Sequence, residues 1–393
     1  MKIFVLLSRV PYPLDKGDKL RAFNQLKSLS QKHQIFLCAL NDKPLHPKAV
    51  EVLRTFCKQV EIIELSKIDI VFNLFKNLFS SKPLQTGYFY NYFTQYKIDK
   101  FIKKFQPAHI FCQLIRTSEY VRKYNQTPKT LDYMDALSKG MERRIEKSAW
   151  YLKPILKLES KRLAKYETEI FDFFDNKIII SEQDKNFINH PKRTEIAVVS
   201  NGVDVEYFNH QSSIINRPPS YDLLFTGNMN YPPNIFSVEY LVKEILPLVF
   251  KKIPSLKLLI SGTNPSKKVL ALKSKTVTIT GFVEDIRTSY SNSKIFIAPM
   301  LIGTGLQNKL LEAMAMKLPC ITSGLANNAL GAAPNENILI GNSAEEYAKH
   351  ILFLLENENE RKKLAENGNL FVNKNYSWEK SAQLLETIIN QGK

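Results

Sequence analysis

The feature that most constrains this chain is a repeated alternation of short apolar runs with amphipathic stretches. In the first half the runs are Ile3–Leu7, Ile35–Leu40, Val60–Leu65, His109–Leu114, Thr130–Met134, Lys177–Ser181 and Ile196–Ser200. Helical patterns lie between them; in Lys19–Lys32, for example, Leu20, Phe23, Leu26 and Leu29 share one face. A second series reads Leu223–Thr226, Leu256–Ser261, Val277–Thr280, Ile295–Pro299, Pro319–Thr322 and Asn337–Ile340, with helical patterns at Asn234–Phe250 and Leu306–Lys317. Strands alternating with helices imply parallel sheets joined by right-handed crossovers. A chain of 393 residues exceeds one compact core and suits two domains. The polar segment Asn209–Asp222, containing Arg-Pro-Pro-Ser, reads as the linker. The expectation is an α/β chain of two doubly wound domains, 1–208 and 223–376, facing one another, with ligands at the carboxyl ends of the strands.

Composition narrows the function. No apolar run is long enough to span a bilayer. The opening apolar stretch, Ile3–Leu7, is too short for a signal peptide and reads as a buried first strand. Cys38, Cys57, Cys112 and Cys320 form no C-x-x-C pair and the histidines no H-x-x-x-H pattern, so a reducing compartment and no structural metal are expected. The net charge of +17 is uneven: residues 1–200 hold 35 Lys+Arg against 21 Asp+Glu, and the remainder 20 against 17. A basic first half seeks anions. No zinc finger, RRM or helix-turn-helix signature accompanies it, so phosphorylated ligands or an anionic membrane are preferred over nucleic acid.

The most informative segment is APMLIGTGLQNKLLEAMAMKLPCITSG, residues 298–324. A strand ends at Pro299, a loop carries Gly303, Thr304 and Gly305, and a helix starts near Leu306. Glycines admit close approach of a ligand, and a helix N-terminus favours an anion such as a diphosphate. Lys309 adds positive charge, and Glu312 offers a carboxylate to ribose hydroxyls. An ordinary strand–turn–helix would read the same way.

The stretch LLEAMAMKLPCITS resembles the donor-site signature of glycosyltransferase family 4, with the GT-B fold. GFVEDIRTSYSNSKIFIAPM, VSNGVDVEYF and FTGNMNYPPN resemble further segments of that family in the same order. VPYPLDKGDKLRAFNQLKSL and KLESKRLAKYETEIFDFFDNKIIISEQD resemble a bacterial exopolysaccharide branch of it. The resemblance implies two Rossmann-like domains facing across a cleft, with residues 377–393, opening at Trp378, as a helix returning to the first domain. It implies that Glu312 binds the donor ribose. The partner glutamate eight positions earlier is replaced here by Thr304. The family's basic pair after the first strand of the second domain is also missing, since Gly227 and Asn228 open a loop without Arg or Lys. Lys309 is the candidate replacement. Gly17 matches the glycine loop of the first domain, flanked by Asp18 and Arg21. Asp132 and Asp135 are the candidates for the polar group near the reacting centre, with Arg116 a weaker one; Asp135 could equally cap the next helix.

The function implied is transfer of a sugar from a nucleotide-sugar donor to a hydroxyl of a glycan, expected to be lipid-linked, with retention and without metal or other cofactor. The alternatives are a GT-B enzyme of another reaction, such as a nucleotide-sugar epimerase, or an inactive membrane-associated binding protein. Residues 67–105 hold eleven aromatics and seven lysines against Asp69 and Asp99. Phe72, Phe75 and Phe79 recur at helical spacing, and with Lys103 and Lys104 they suit an anionic headgroup region. The rival reading packs these rings inside the first domain. The lysines of Ser138–Lys165 read as a solvated helix face. The location expected is cytoplasmic, at the inner face of the cell membrane.

Overall fold

The computed structural model describes residues 1–146, 148–209, 219–302 and 305–391. The chain forms two compact units, Met1–Ser200 together with the chain from Trp378 onward, and Asn201–Ser377. The division at Ser200 falls earlier than the expected linker, most of which lies outside the described residues.

In the first unit seven strands form one sheet: β1 (Lys2–Leu7), β2 (Gln34–Asn41), β3 (Gln59–Glu64), β4 (His109–Gln113), β5 (Lys129–Asp132), β6 (Asn176–Ile179) and β7 (Ala197–Val198). Their order is β3-β2-β1-β4-β5-β6-β7, all parallel. The second unit contains β8 (Tyr221–Thr226), β9 (Leu258–Ser261), β10 (Val277–Ile279), β11 (Ser293–Ala298), β12 (Cys320–Thr322) and β13 (Leu339–Ile340). These run β10-β9-β8-β11-β12-β13, again parallel. Each sheet therefore reverses its winding once, between β1 and β4 and between β8 and β11. The crevice at such a reversal is where ligands bind in open parallel sheets.

The strands are continuous apolar runs because both faces of each sheet are covered. Along β1, Phe4 and Leu6 enter one core with Ile98, Phe101 and Leu163. Ile3, Val5 and Leu7 enter the other, with Leu26 and Leu29 of the Gly17–Leu29 helix. The Trp378–Gln391 helix adds Leu385, Ile388 and Ile389 to this second core, so the end of the chain completes the first unit. All four cysteines are buried free thiols, and burial pushes those of Cys57 and Cys112 up to about 12.

One ion pair crosses the first unit. Arg21 and Asp132 both have 0% side-chain exposure. Arg21 Nε donates to Asp132 Oδ2 at 2.6 Å and Nη2 to Oδ1 at 3.2 Å, while Nη1 donates to the Val199 carbonyl at 2.7 Å. Gln25 and the Met134 amide donate to the same carboxylate. This overturns two expectations. Asp132 cannot serve a reacting centre and Arg21 cannot meet a ligand's phosphate, because each is consumed by the other inside the core. Removing one member strands the other's charge. Asp132→Asn should cost about 3–5 kcal/mol. Urea unfolding should show this loss in the first unit, with the transition of the second unit left where it is in the wild type.

Candidate functional site

In the second unit the side chains converge at the winding reversal. Beyond β8, Gly227 has φ of 152°, in the region that favours glycine. A Cβ there would lie 2.6 Å from Asn234 Nδ2 and 3.2 Å from Lys309 Nζ. Lys309 comes from the Asn308–Ala315 helix that follows β11. Its Nζ donates to Asn234 Oδ1 at 2.5 Å and lies 4.4 Å from the centre of the Phe225 ring. Burial pushes its ammonium down to about 7, with Glu312 acting in the opposite sense. One turn on, Glu312 Oε2 accepts a 2.8 Å hydrogen bond from Tyr290, whose oxygen pairs with Thr226 Oγ1 at 2.9 Å. Burial pushes the Glu312 carboxyl up to about 7, against the pull of Tyr290 and Lys309. Its Oε1 takes no hydrogen bond from the described residues. The site thus holds a desolvated cation and a carboxylate oxygen ready to accept.

Other expected residues lie nearby with different roles. The Asn228 carbonyl accepts from Asn234 Nδ2 at 3.0 Å and its side chain accepts the Asn230 amide at 3.0 Å, so Asn228 shapes its own turn. Gly305 has φ of 78°, a conformation that suits glycine at the approach to the helix. Gly303 and Thr304 lie outside the described residues.

In the first unit the reversal lies between β1 and β4. Gly17 is the exposed first residue of its helix. Asp18, next to it, pairs with Arg9 at 2.5 Å. Burial pushes the Asp18 carboxyl up, but Arg9 and Arg116 outweigh it and hold it below its usual range. Arg116, just past β4, donates through Nε to Gln85 Oε1 at 2.9 Å. Asp135 follows β5 and is half-buried. Its capping role is already taken, because Glu167 accepts the Ser138 amide at 3.0 Å and Asp184 the Ala136 amide at 3.4 Å. The Asp135 carboxylate accepts no hydrogen bond from the described residues. Burial pushes it up to about 7, Asp184 and Glu167 add to the rise, and Arg116 opposes it.

Comparison with known proteins gives this geometry a family context. Residues 220–357, which hold Gly227, Lys309 and Glu312, match the family described as "Glycosyl transferases group 1". The chain is a glycosyltransferase. A 44.6 kDa protein in the cps region of Klebsiella pneumoniae is 25% identical over 402 residues, covering 96% of this chain and 97% of that protein. A Methanocaldococcus jannaschii glycosyltransferase is 33% identical over 104 residues, 25% of this chain and 26% of that one. Among solved structures, TarM aligns with TM-score 0.73 at 12% identity over 99% of this chain and 98% of its own. Sucrose-phosphate synthase of Thermosynechococcus elongatus gives 0.71 at 15% identity, over 100% and 99%. The Anabaena protein HepE in complex with UDP gives 0.70 at 12% identity, over 100% of both chains. These likenesses establish the GT-B fold.

The aromatic stretch of this glycosyltransferase divides between core and surface. Phe89 and Phe101 are buried in the first unit. Phe72, Phe75 and Phe79 are 67%, 63% and 81% exposed along and just beyond the Lys67–Leu78 helix. Lys103 and Lys104 do not join them. They end the Tyr92–Phe105 helix beside the amino end of β1, where Lys2 bonds the Phe105 carbonyl. Trp150, Tyr151, Leu152, Ile155 and Leu158 are also exposed. Arg162, on the Lys153–Glu169 helix, donates to the Asn77 and Leu78 carbonyls at 2.9 and 3.0 Å and so ties that helix to the end of the Lys67–Leu78 helix. Lys157, Lys161 and Lys165 of the Lys153–Glu169 helix are exposed, as a solvated face requires. Among the described residues no helix is long and apolar enough to cross a membrane.

Sequence reasoning gave no role to Asn234 and Tyr290, although both lie within segments that carry the resemblance; an intolerance of Gly227 for a side chain could have pointed to Asn234. For Asp135 the sign of its perturbation is testable. An acid whose folded-state value is raised makes ionisation costly to the fold, so stability falls as pH rises from about 4 to about 7. Asp135→Asn should therefore unfold about 1–3 kcal/mol later than wild type at pH 8, and the gain should vanish near pH 4. A simultaneous loss of transfer activity would separate a functional carboxylate from a structural one.

Proposed function

We propose that this enzyme transfers a glycosyl group from a nucleotide-sugar to a hydroxyl of a lipid-linked glycan at an anionic, cytoplasmic membrane face, retaining the anomeric configuration. The observation that carries the donor reading is the Lys309–Glu312 pair, desolvated beside Gly227 at the winding reversal of the second unit. Glu312 Oε1 suits a ribose hydroxyl, and Lys309 suits a diphosphate whose charge grows as the C1–O bond breaks. A lysine in that place also removes the need for a divalent cation. Structural neighbours support a UDP-type donor and a sugar acceptor: HepE forms a complex with UDP-glucose, and a TarM variant one with UDP and alpha-GlcNAc-glycerol. The cps-region relative supports a surface-polysaccharide context. On the first unit Asp135 is the group suited to accept the hydrogen of an incoming hydroxyl.

The donor reading is tested with UDP. Glu312→Ala should weaken binding by about 1.5–3 kcal/mol, the worth of a charge-assisted hydrogen bond. Lys309→Met should lower turnover more than UDP affinity. Because burial holds Lys309 near 7, a bound diphosphate must raise it. Calorimetry at pH 8 in buffers of different ionisation heat should show proton uptake on UDP binding, and Lys309→Met should abolish it. Turnover undiminished by EDTA would fit the same arrangement. Absence of any UDP or UDP-sugar binding would exclude this donor class.

The membrane reading rests on the exposed rings of the first unit. Phe72, Phe75, Phe79, Trp150 and Tyr151 are exposed, as are Lys76, Lys157 and Lys161, on two helical segments that Arg162 ties together. Exposed aromatic rings accompanied by lysines fit the headgroup layer. Each lysine near an anionic surface contributes about 1 kcal/mol. The enzyme should sediment with phosphatidylserine- or cardiolipin-containing vesicles at low salt and less at high salt. Phe75→Ser with Phe79→Ser and Trp150→Ser should abolish sedimentation with UDP affinity unchanged, whereas Lys103→Ser with Lys104→Ser should have little effect. Wild type that stays in the supernatant at low salt would exclude the membrane face.

A further inference from the structure

A second concavity lies on the first unit, apart from Asp135 and from the exposed phenylalanines. It is a groove of about 610 Å³ between the Tyr92–Phe105 helix, the 119–125 segment after β4, and Phe173. This volume lies within the range of small-ligand sites. Its walls combine two kinds of group. The rings are Tyr92 and Tyr96, 77% and 67% exposed, with Tyr90 braced by stacking on Tyr120 at 5.1 Å. The polar groups are planar and held still. Asp99 accepts from Gln95, Lys123 and Tyr124 at 2.7, 2.5 and 2.6 Å. Glu119 accepts from Lys82, Tyr166 and Arg122 at 2.6, 2.8 and 3.3 Å. The Arg122 guanidinium also lies 3.9 Å from the Phe173 ring centre.

We propose that this groove binds a neutral oligosaccharide, the already-built part of the acceptor glycan. The proposal rests on the reading of the acceptor as a glycan. Exposed phenol rings offer flat apolar faces to the C–H faces of pyranose rings, with a hydroxyl at the rim. Fixed carboxylates and a guanidinium offer pairs of parallel sites to vicinal hydroxyls. Asp99 and Glu119 are balanced by Arg122 and Lys123, so the groove carries no net attraction for an acidic polymer. The location also fits. The segment that supplies Glu119 and Arg122 runs on directly from Arg116, which acts electrostatically on Asp135. Arg116 in turn lies over Phe89, whose neighbour Tyr90 lines the groove. A glycan whose reacting end lay near Asp135 would therefore have a path along which its older residues could lie. A membrane face would need no such pairing of rigid carboxylates with rings.

The test uses the full chain saturated with UDP on an array of neutral oligosaccharides, from monosaccharides to octasaccharides. The wild type should retain longer chains at least about tenfold more tightly than the monosaccharides, a difference of about 1.4 kcal/mol. Tyr92→Ala with Tyr96→Ala should remove this length dependence with UDP affinity unchanged, and Tyr92→Phe with Tyr96→Phe should keep most of it, because the ring faces remain. If the wild type retains no glycan on the array, or the double alanine variant retains them equally, the proposal is overturned. Loss of vesicle binding in place of glycan binding would reassign these tyrosines to the membrane face and also overturn it. Failure of the wild type to bind UDP would instead sink the donor reading, so the two failures are distinguishable.

Discussion

A guanidinium with no solvent exposure must be neutralised where it sits, and in the first unit the Arg21–Asp132 pair does this across the width of the sheet. Arg21 lies three residues beyond Asp18, and Asp132 lies three residues before Asp135. The pair therefore ties the helix after β1 to the end of β5. Asp18 lies in the first turn of that helix, and Asp135 just past that strand. The hydrogen bond to Val199 extends the same tie to the last strand of that sheet. A buried ion pair is a weak source of net stability, but breaking it leaves an uncompensated charge, so the geometry around it is steeply enforced. Asp135 can remain half-buried without a hydrogen-bond partner because Glu167, Asp184 and this pair hold its backbone.

The second unit uses desolvation differently. Lys309 and Glu312 are both driven toward their neutral forms by burial, in opposite directions, and each draws the other back. A bare surface lysine would be as positive but already hydrated. A lysine lodged between Asn234 and the Phe225 ring has little water to shed when an anion arrives. The close backbone approach of Gly227 and the Tyr290 bond to Glu312 keep that arrangement in place. The loop after β8 opens with Gly227 and Asn228 and carries no Arg or Lys, and Lys309, from another element, is the cation packed beside it.

The fold was legible because parallel strands covered on both faces are nearly uninterrupted apolar runs; His109–Leu114 and Ile295–Pro299 match β4 and β11 to within a few residues. Lys309 and Glu312 were legible for another reason: a strand, a glycine turn and a helix confine charged residues to one end of a sheet. Burial of charge was not legible. Arg21 beside a glycine loop looks like a phosphate ligand, and only the position of Asp132, more than a hundred residues away, shows otherwise. The aromatic stretch was half legible, since helical spacing groups Phe72, Phe75 and Phe79 but does not show which way the helix faces. Trp150 and Tyr151 were hidden among lysines, and Lys103 and Lys104 were grouped by sequence nearness with rings that belong to a different helix.

The Trp378–Gln391 helix has a consequence for how this enzyme is made. Its Leu385, Ile388 and Ile389 fill the core lined by Leu26 and Leu29 of the first helix. A ribosome delivers those three side chains only after the whole second unit has been made. Domains of long chains generally fold in order of synthesis. Here the earliest-made sheet must wait with an open apolar notch while the later-made one closes on itself. The newborn chain is thus most exposed to proteases and chaperones at its oldest end, and a ribosome stalled before Leu385 would leave the N-terminal half unfinished.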